Sequence, residues 1–240
     1  MTGFPDQVSN NHQLLHHSHL LRYEGAADVP NCCCTREGDA MRHTGIALDH
    51  LQIVVVTGVQ AAGKSTVARL LAGRFVRGVH VEADVLHRMI VSGSEWVGEP
   101  GEPNSEAARQ LRLRLKNMCL LGVSFYQAGF TAVLDDIIIG DRADHLAEDL
   151  QSVPFSLVVL APSLAAVVQR DERRSKPTLG EGWARYLDEA LRATMADRGV
   201  WIDTSAQTAE ETVEDIIARL WSDHEAMNTL SKAICLPGFV

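Results

Sequence analysis

The stretch from Val54 to Phe75 constrains the fold of this chain more than any other part of the sequence. An apolar, β-branched run ends at Thr57, and the spacing of a helix begins after Thr66. Between them stand the letters GVQAAGKS, whose glycines and alanines leave the backbone open to close approach. The pattern predicts a strand, a tight loop built around a ligand and a helix, in that order.

The loop has the spacing Gly-x-x-x-x-Gly-Lys-Ser, which is typical of a phosphate-binding loop, or P-loop. Small side chains let backbone N–H groups converge on phosphate oxygens, and the next helix directs its positive end at the same oxygens. Lys64 brings a catalytic cation to the β- and γ-phosphates, and the Ser65 hydroxyl is a ligand for Mg²⁺. ATP and Mg²⁺ are therefore the predicted cofactors. The predicted nucleotide-binding residues are Gly58, Val59, Gln60, Ala61, Ala62, Gly63, Lys64, Ser65 and Thr66.

Short apolar runs alternate with longer helical stretches from residue 51 onwards, which is typical of a parallel sheet covered on both faces. The fold class predicted is α/β, a three-layer α/β/α P-loop NTPase fold with a five-stranded parallel sheet. A helix is predicted from Ser105 to Ala128, and Thr208 and Glu211 have the spacing of a capping box before another. The predicted strands are Leu51–Thr57, Val79–Ala83, Thr131–Ile137, Phe155–Ala161 and Val200–Asp203.

The first 48 residues show no sustained period and are expected to form a disordered extension. Met41, just before the first strand, is an alternative natural start. The histidines of this segment and its three adjacent cysteines match no zinc-binding spacing. We therefore predict an extension over 1–48, a P-loop domain over 49–227 and a tail over 228–240.

Composition limits the partners that the chain can have. The net charge of −9 creates no overall field that attracts nucleic acid or an anionic membrane. No apolar run approaches the roughly 20 residues that span a bilayer, and the five cysteines lack a disulfide-like spacing. We expect a cytoplasmic protein without nucleic-acid or membrane partners, and the sequence leaves its oligomeric state open.

Two carboxylates stand at the end of the second predicted strand. Side chains alternate along a strand, so Glu82 and Asp84 are expected on the same side, at the sheet edge where ligands bind. Asp84 is the candidate general base for an attacking hydroxyl, and Glu82 is a candidate for holding Mg²⁺. The alternative for Asp84 is a helix cap for a helix beginning near Val85.

The third predicted strand ends in a pair of aspartates, in the letters VLDDIIIG. Asp135 and Asp136 leave an apolar run, which is the setting of an acid that holds Mg²⁺ in P-loop proteins. Alternation sends them to opposite faces, so only one is expected to meet the metal. The alternative is that either one is a cap or a turn residue.

Basic residues cluster in two places. Arg170, Arg173 and Arg174 follow the fourth strand, where a lid could close arginines onto a transferring phosphate, although a solvated helix face is the alternative. The helix predicted from Ser105 carries further basic residues beside its apolar stripe. These residues are Arg109, Arg112, Arg114 and Lys116. We expect the arginines to be mostly solvated, with one of the three a candidate for lining an acceptor pocket.

The stretches GVQAAGKS, EADVLHRMI and VLDDIIIGDRADHL together resemble chloramphenicol phosphotransferase and the related small P-loop kinases of the zeta-toxin and gluconate-kinase type. The resemblance covers about residues 50 to 220. It implies ATP, Mg²⁺ and a five-stranded parallel core, and it gives the aspartate at position 84 the role of general base. The chain departs from that pattern in its N-terminal extension and in SGSEWVGEPGEPNS, so the family's acceptors do not transfer to it.

These observations lead to an expected activity. The chain is expected to be an ATP-dependent kinase that transfers the γ-phosphate to a hydroxyl of a small molecule, for which an antibiotic is one candidate. One alternative is a nucleotide, nucleoside or sugar-nucleotide kinase. Another is a regulatory P-loop NTPase, a nucleotide-binding switch without an acceptor.

Overall fold

Five short strands form one parallel sheet in a computed structural model of the protein, in the order β2-β3-β1-β4-β5. Every predicted strand is present within two residues of its expected bounds, and the predicted α/β fold is confirmed. The third strand ends earlier than expected because the Ile137 N–H bonds to the Asp136 carboxylate at 2.8 Å instead of continuing the ladder. The strands are β1 (Ile53–Gly58), β2 (Gly78–Glu82), β3 (Thr131–Asp135), β4 (Phe155–Leu160) and β5 (Val200–Ile202).

The structure describes residue 48 and the ranges 51–96, 105–173 and 180–234, with side chains through residue 221 in the last helix. These residues belong to the unit Thr44–Val240. The predicted extension, apart from its last residue, lies outside the described residues, as do Arg174 and the last six residues of the predicted tail.

Helices connect the strands and cover the sheet. The predicted capping box is present, because the Thr208 N–H donates to Glu211 Oε2 at 2.7 Å and the Glu211 N–H donates to Thr208 Oγ1 at 3.1 Å. The helix that follows continues past the expected domain edge at residue 227. The helices are α1 (Lys64–Ala72), α2 (Ala83–Arg88), α3 (Glu106–Gln127), α4 (Arg142–Asp149), α5 (Leu164–Glu172), α6 (Gly180–Met195) and α7 (Ala209–Ile234).

The core is built around β1, whose six residues are all buried and which pairs with β3 on one side and β4 on the other. Leu115 and Met118 of the predicted apolar stripe on α3 are fully buried. Ser105 caps α3 by accepting from the Ala108 N–H at 3.2 Å. None of the described helices combines the length and the apolar content needed to cross a membrane.

A close approach of two backbones fixes the start of β2. At Gly78, a Cβ atom would lie 1.8 Å from the carbonyl oxygen of Ala72, where α1 ends. No side chain fits in that gap unless the end of α1 moves away from the sheet. Gly182 in α6 is a contrast, because a Cβ built there meets no atom within 4 Å.

We expect Gly78→Ala to destabilise the domain by about 1–3 kcal/mol, the usual cost of overpacking, and to lower its melting temperature. Gly182→Ala, in the first turn of α6, is the matched control and should leave the free energy of unfolding within about 0.5 kcal/mol of the unaltered chain, or raise it slightly. Chemical denaturation followed by circular dichroism measures both values. An unchanged Gly78→Ala midpoint would contradict the packing of α1 against the start of β2.

Candidate active site

The carboxyl ends of β1, β2 and β3 meet at one edge of the sheet, because the three strands are parallel and adjacent. In the register of the sheet, Asp135 on β3 stands opposite Val56 on β1 and Glu82 on β2. The loop after β1 and the carboxylates after β2 and β3 are thus brought together from distant parts of the chain. This edge is the usual ligand crevice of an open α/β sheet.

The GVQAAGKS loop holds a backbone shape that few residues adopt without strain. Gly63, which precedes α1, has a φ of 97°, and Ala61 has a φ of 59°. The Val59 carbonyl accepts from the Ala62 N–H at 3.2 Å and from the Lys64 ammonium at 3.0 Å. The predicted phosphate-binding loop therefore curls over itself at the start of α1, with its lysine held against the loop.

Ser65 and Asp135 form the central contact of the site. The Ser65 hydroxyl donates to Asp135 Oδ2 at 2.8 Å and joins the first turn of α1 to the end of β3. The other carboxylate oxygen, Oδ1, lies 2.6 Å from Nε2 of His80 on β2. Asp135 is only 3% exposed, and its partners among the described residues are this hydroxyl and this imidazole.

Asp136 has a different environment from its neighbour. Its carboxylate accepts from Arg114 on α3 at 2.5 Å and from Arg142 on α4 at 2.5 Å. Burial lowers the pKa of the Arg142 guanidinium from its ordinary value, and the Asp136 charge acts against that effect. Two guanidinium groups therefore share the Asp136 carboxylate, while Asp135 contacts a hydroxyl and an imidazole.

The expectation that the arginines of α3 are solvated is wrong for Arg114. This residue is 6% exposed and bridges Asp136 and Asp84, the latter at 3.1 Å. The helical spacing indicates that Arg114 is buried, because it lies one turn from Leu111 and from Met118, on the apolar stripe of α3. Arg142 and His80 are two more residues of this site that the sequence patterns did not single out.

Asp84 lies in the first turn of α2, with its side chain half exposed. The alternative that Asp84 caps this helix is wrong, because α2 begins at Ala83 and the cap position belongs to Glu82. Glu82 makes no capping bond, and its Oε1 lies 3.8 Å from Arg88 Nη2. Arg114 binds one oxygen of Asp84, so the carboxylate has a fixed direction at the sheet edge.

The residues around Asp135 fit a Mg²⁺ ion that arrives with nucleotide phosphates. No group of three or more histidine, cysteine, aspartate or glutamate side chains in the described part of the chain could hold a metal alone. Mg²⁺ usually takes only one or two protein ligands and completes its shell with phosphate oxygens and water. Ser65 and Asp135 are such a pair, since the hydroxyl and the almost fully buried carboxylate are already bonded to each other.

The basic segment after β4 begins beside the loop. Gln60 in the loop donates to Asp171 on α5 at 3.0 Å. The Arg170 guanidinium donates to the Thr204 carbonyl at 2.6 Å and thereby ties α5 to the chain after β5. Arg173 is exposed at the end of α5.

The segment after α2 packs on the side of the site where Asp84 lies. His87 is buried, and the ring of Trp96 lies over it at a centroid distance of 4.0 Å. Burial lowers the pKa of His87, and the charge of Arg114 acts in the same direction. Gln110 on α3 holds the segment by accepting from the Glu95 N–H at 2.8 Å and donating to the Gly93 carbonyl at 2.7 Å. These contacts fix residues 93–96 beside the helix that carries Asp84.

The sheet order, the loop at the end of β1 and the aspartate bonded to its serine define a P-loop fold of the kind found in small-molecule kinases. Solved structures with this fold include a sugar kinase from Janibacter sp. HTCC2649, with a TM-score of 0.55 and 20% identity, covering 72% of this chain and 95% of that chain. The tunicamycin resistance protein of Deinococcus radiodurans matches with a TM-score of 0.54 and 21% identity over 72% of this chain and 96% of its own.

A gluconokinase from Sinorhizobium meliloti 1021 is also similar, with a TM-score of 0.53 and 20% identity over 75% of this chain and 98% of its own. No protein-family model and no curated protein sequence matches this chain. At these identities the similarity concerns the fold. The part of the resemblance to small P-loop kinases that concerns the fold is confirmed.

The two adjacent aspartates should differ sharply in their effect on stability. Asp136→Asn removes the carboxylate that the buried Arg114 and the part-buried Arg142 share, and breaking such a pair costs about 3–5 kcal/mol. Asp135→Asn leaves no arginine without its anion, and it weakens hydrogen bonds while removing a buried charge, so the free energy of unfolding should change by only about 1 kcal/mol. Urea denaturation of both variants measures the difference, and equal losses would contradict the assignment of the arginines to Asp136.

Proposed function

We propose that this protein is an ATP-dependent phosphotransferase that transfers the γ-phosphate of ATP to a hydroxyl group of a small molecule. The observation that carries the proposal is the bond between Ser65 and Asp135, with the half-exposed Asp84 at the same edge of the sheet. A nucleotide switch needs the first pair to hold its ligand. A kinase also needs a carboxylate facing the acceptor, and Asp84 is suited to that role.

The chain's part in phosphoryl transfer is positioning and charge stabilisation. The loop Gly58–Thr66 would bind the phosphates through its backbone N–H groups, with the Lys64 ammonium at the β- and γ-oxygens. Ser65 and Asp135 would hold Mg²⁺, which neutralises charge on the phosphates when it is bound. Glu82, opposite Asp135 in the sheet, would reach the metal through water. Asp136 would serve as the anchor of two arginines and not as a metal ligand.

Asp84 would act as the general base toward the acceptor hydroxyl. Arg114 binds Asp84 Oδ1, which leaves Oδ2 for the hydroxyl proton. Arg114 is itself held by the buried Asp136. The orientation of the Asp84 carboxylate is therefore set by a buried ion pair. Arg114 is in this account a positioning residue for Asp84.

Arginines after β4 would neutralise charge on the transferring phosphate. Arg170 already bonds to the Thr204 carbonyl, so it would mainly fix the direction of α5. Arg173 and Arg174, further along the chain, are the better candidates for direct contact with phosphate.

The acceptor would be a hydroxylated small molecule that packs against α2 and the segment 93–96. The sugar kinase and the gluconokinase that share this fold are named for such compounds, which supports a hydroxyl acceptor. The tunicamycin resistance protein keeps an antibiotic among the candidates.

A coupled ADP-release assay tests the function. The panel contains sugars, sugar acids, hydroxylated antibiotics, nucleosides and nucleotides. We expect ADP release that depends on one class of acceptor, and a fall of several orders of magnitude in Lys64→Ala because the phosphates lose their cation. Lys116→Ala, on the exposed face of α3, is the control and should keep full activity. Slow turnover that ignores every acceptor would instead identify a nucleotide switch.

Asp84→Asn should separate binding from chemistry. Asparagine keeps the size of the side chain but cannot accept the hydroxyl proton, so kcat should fall by about 10²- to 10⁴-fold. The affinity for Mg²⁺·ATP should change little, because Asp84 faces the acceptor. Asp144→Asn, an exposed change of the same chemistry, should leave kcat unaltered. A near-normal kcat in Asp84→Asn would remove the base from the mechanism, and weaker Mg²⁺·ATP binding would make Asp84 a metal residue.

A further inference from the structure

His80 is a histidine at the candidate active site for which no P-loop pattern accounts. It lies on β2, the edge strand of the sheet, and its side chain is 15% exposed. Its Nε2 atom is 2.6 Å from Asp135 Oδ1. In the sheet register His80 pairs with Val133, two residues before Asp135, so both side chains lie on the same face of the sheet.

The two oxygens of the Asp135 carboxylate have partners on two different elements. His80 occupies Oδ1 from β2, and the Ser65 hydroxyl occupies Oδ2 from α1. An ionised carboxylate only accepts hydrogen bonds, so the imidazole donates its Nε2–H to Oδ1. With both oxygens engaged, the side chain has one orientation, and the oxygen at the phosphate-binding loop is always the one bonded to Ser65.

We infer that His80 is a positioning residue for the Mg²⁺ site and acts through Asp135. The inference rests on the proposed function, since it assigns His80 to the metal that accompanies the nucleotide. Without the imidazole, the carboxylate could rotate toward β2 and bind Ser65 less firmly. The serine would then be poorly directed toward the metal. Residues that orient a metal-binding group in this way typically change metal affinity by about 10- to 100-fold when they are replaced.

A purely structural role for His80 makes a different prediction. A polar side chain that only fills space at the sheet edge would change the melting temperature, and it would affect nucleotide binding equally with and without metal. If His80 is a positioning residue, its replacement weakens only the Mg²⁺-dependent part of the nucleotide affinity. The two roles therefore separate in the Mg²⁺ dependence of ADP binding.

The experiment measures ADP affinity by calorimetry over a Mg²⁺ titration and in EDTA. Three replacements are compared with the unaltered chain. His80→Gln carries an amide N–H that can reach the position of Nε2, His80→Asn carries the same group on a shorter stem, and His80→Leu carries no donor. Melting temperatures are recorded for all three variants. If His80→Leu fails to fold, the comparison of His80→Gln with His80→Asn still tests the role of His80.

We expect His80→Leu and His80→Asn to need about 10-fold or more Mg²⁺ for half-maximal tightening of ADP binding, with EDTA affinities within about twofold of the unaltered chain. His80→Gln should restore the Mg²⁺ requirement to within about threefold. In an Asp135→Asn background, His80→Leu should cause no further change, because the group it orients is gone.

Failure of the proposed function and failure of the role assigned to His80 give different results in this experiment. If the unaltered chain binds ADP with no response to Mg²⁺, the proposed function itself is contradicted. If the unaltered chain responds to Mg²⁺ and His80→Leu and His80→Asn respond identically, the role of His80 is overturned. Equal weakening with Mg²⁺ and with EDTA, or an Asn variant as good as the Gln variant, also overturns it in favour of a structural histidine.

Discussion

The Asp135 carboxylate bonds to both α1 and β2 and so joins the main elements of the candidate site. It is almost fully buried at the end of β3, and it binds a hydroxyl from α1 and an imidazole from β2. Removing a charged group from water is expensive unless hydrogen-bond partners or a counter-charge are near, and this hydroxyl and this imidazole are such partners. The proposed Mg²⁺ would meet this carboxylate beside the loop that follows β1, where α1 and β2 are both bonded to it.

The adjacent Asp136 shows what the same side chain does when its charge is already balanced. Arg114 and Arg142 converge on it from two helices, and Arg114 continues to Asp84. The result is a chain of charged groups that runs from the interior to the sheet edge. Two consecutive aspartates thus have different contacts. Asp135 bonds to the serine of the loop, while Asp136 binds the arginine that also binds Asp84.

Local patterns in the sequence predicted most of the fold. Alternation of short apolar runs with helical spacing located all five strands, and the capping box located the start of α7. The loop GVQAAGKS and the acids after β2 and β3 were recognisable because each sits at a strand end. The ion pairs of Arg114 and the contact of His80 were not recognisable, because their partners are 22 to 55 residues away and only the assembled sheet brings them together. A charged residue on an apolar stripe, as at Arg114, is the one local sign of such a contact.

We propose that phosphates and Mg²⁺ bind between the loop after β1 and Asp135. A crystal structure of the chain with a non-hydrolysable ATP analogue and Mg²⁺ tests it most directly. We expect phosphates bound by the backbone N–H groups of residues 58–66, the metal on the Ser65 hydroxyl and close to Asp135, and Asp136 still bound to both arginines. A metal on Asp136, or phosphates bound away from the loop, would contradict it.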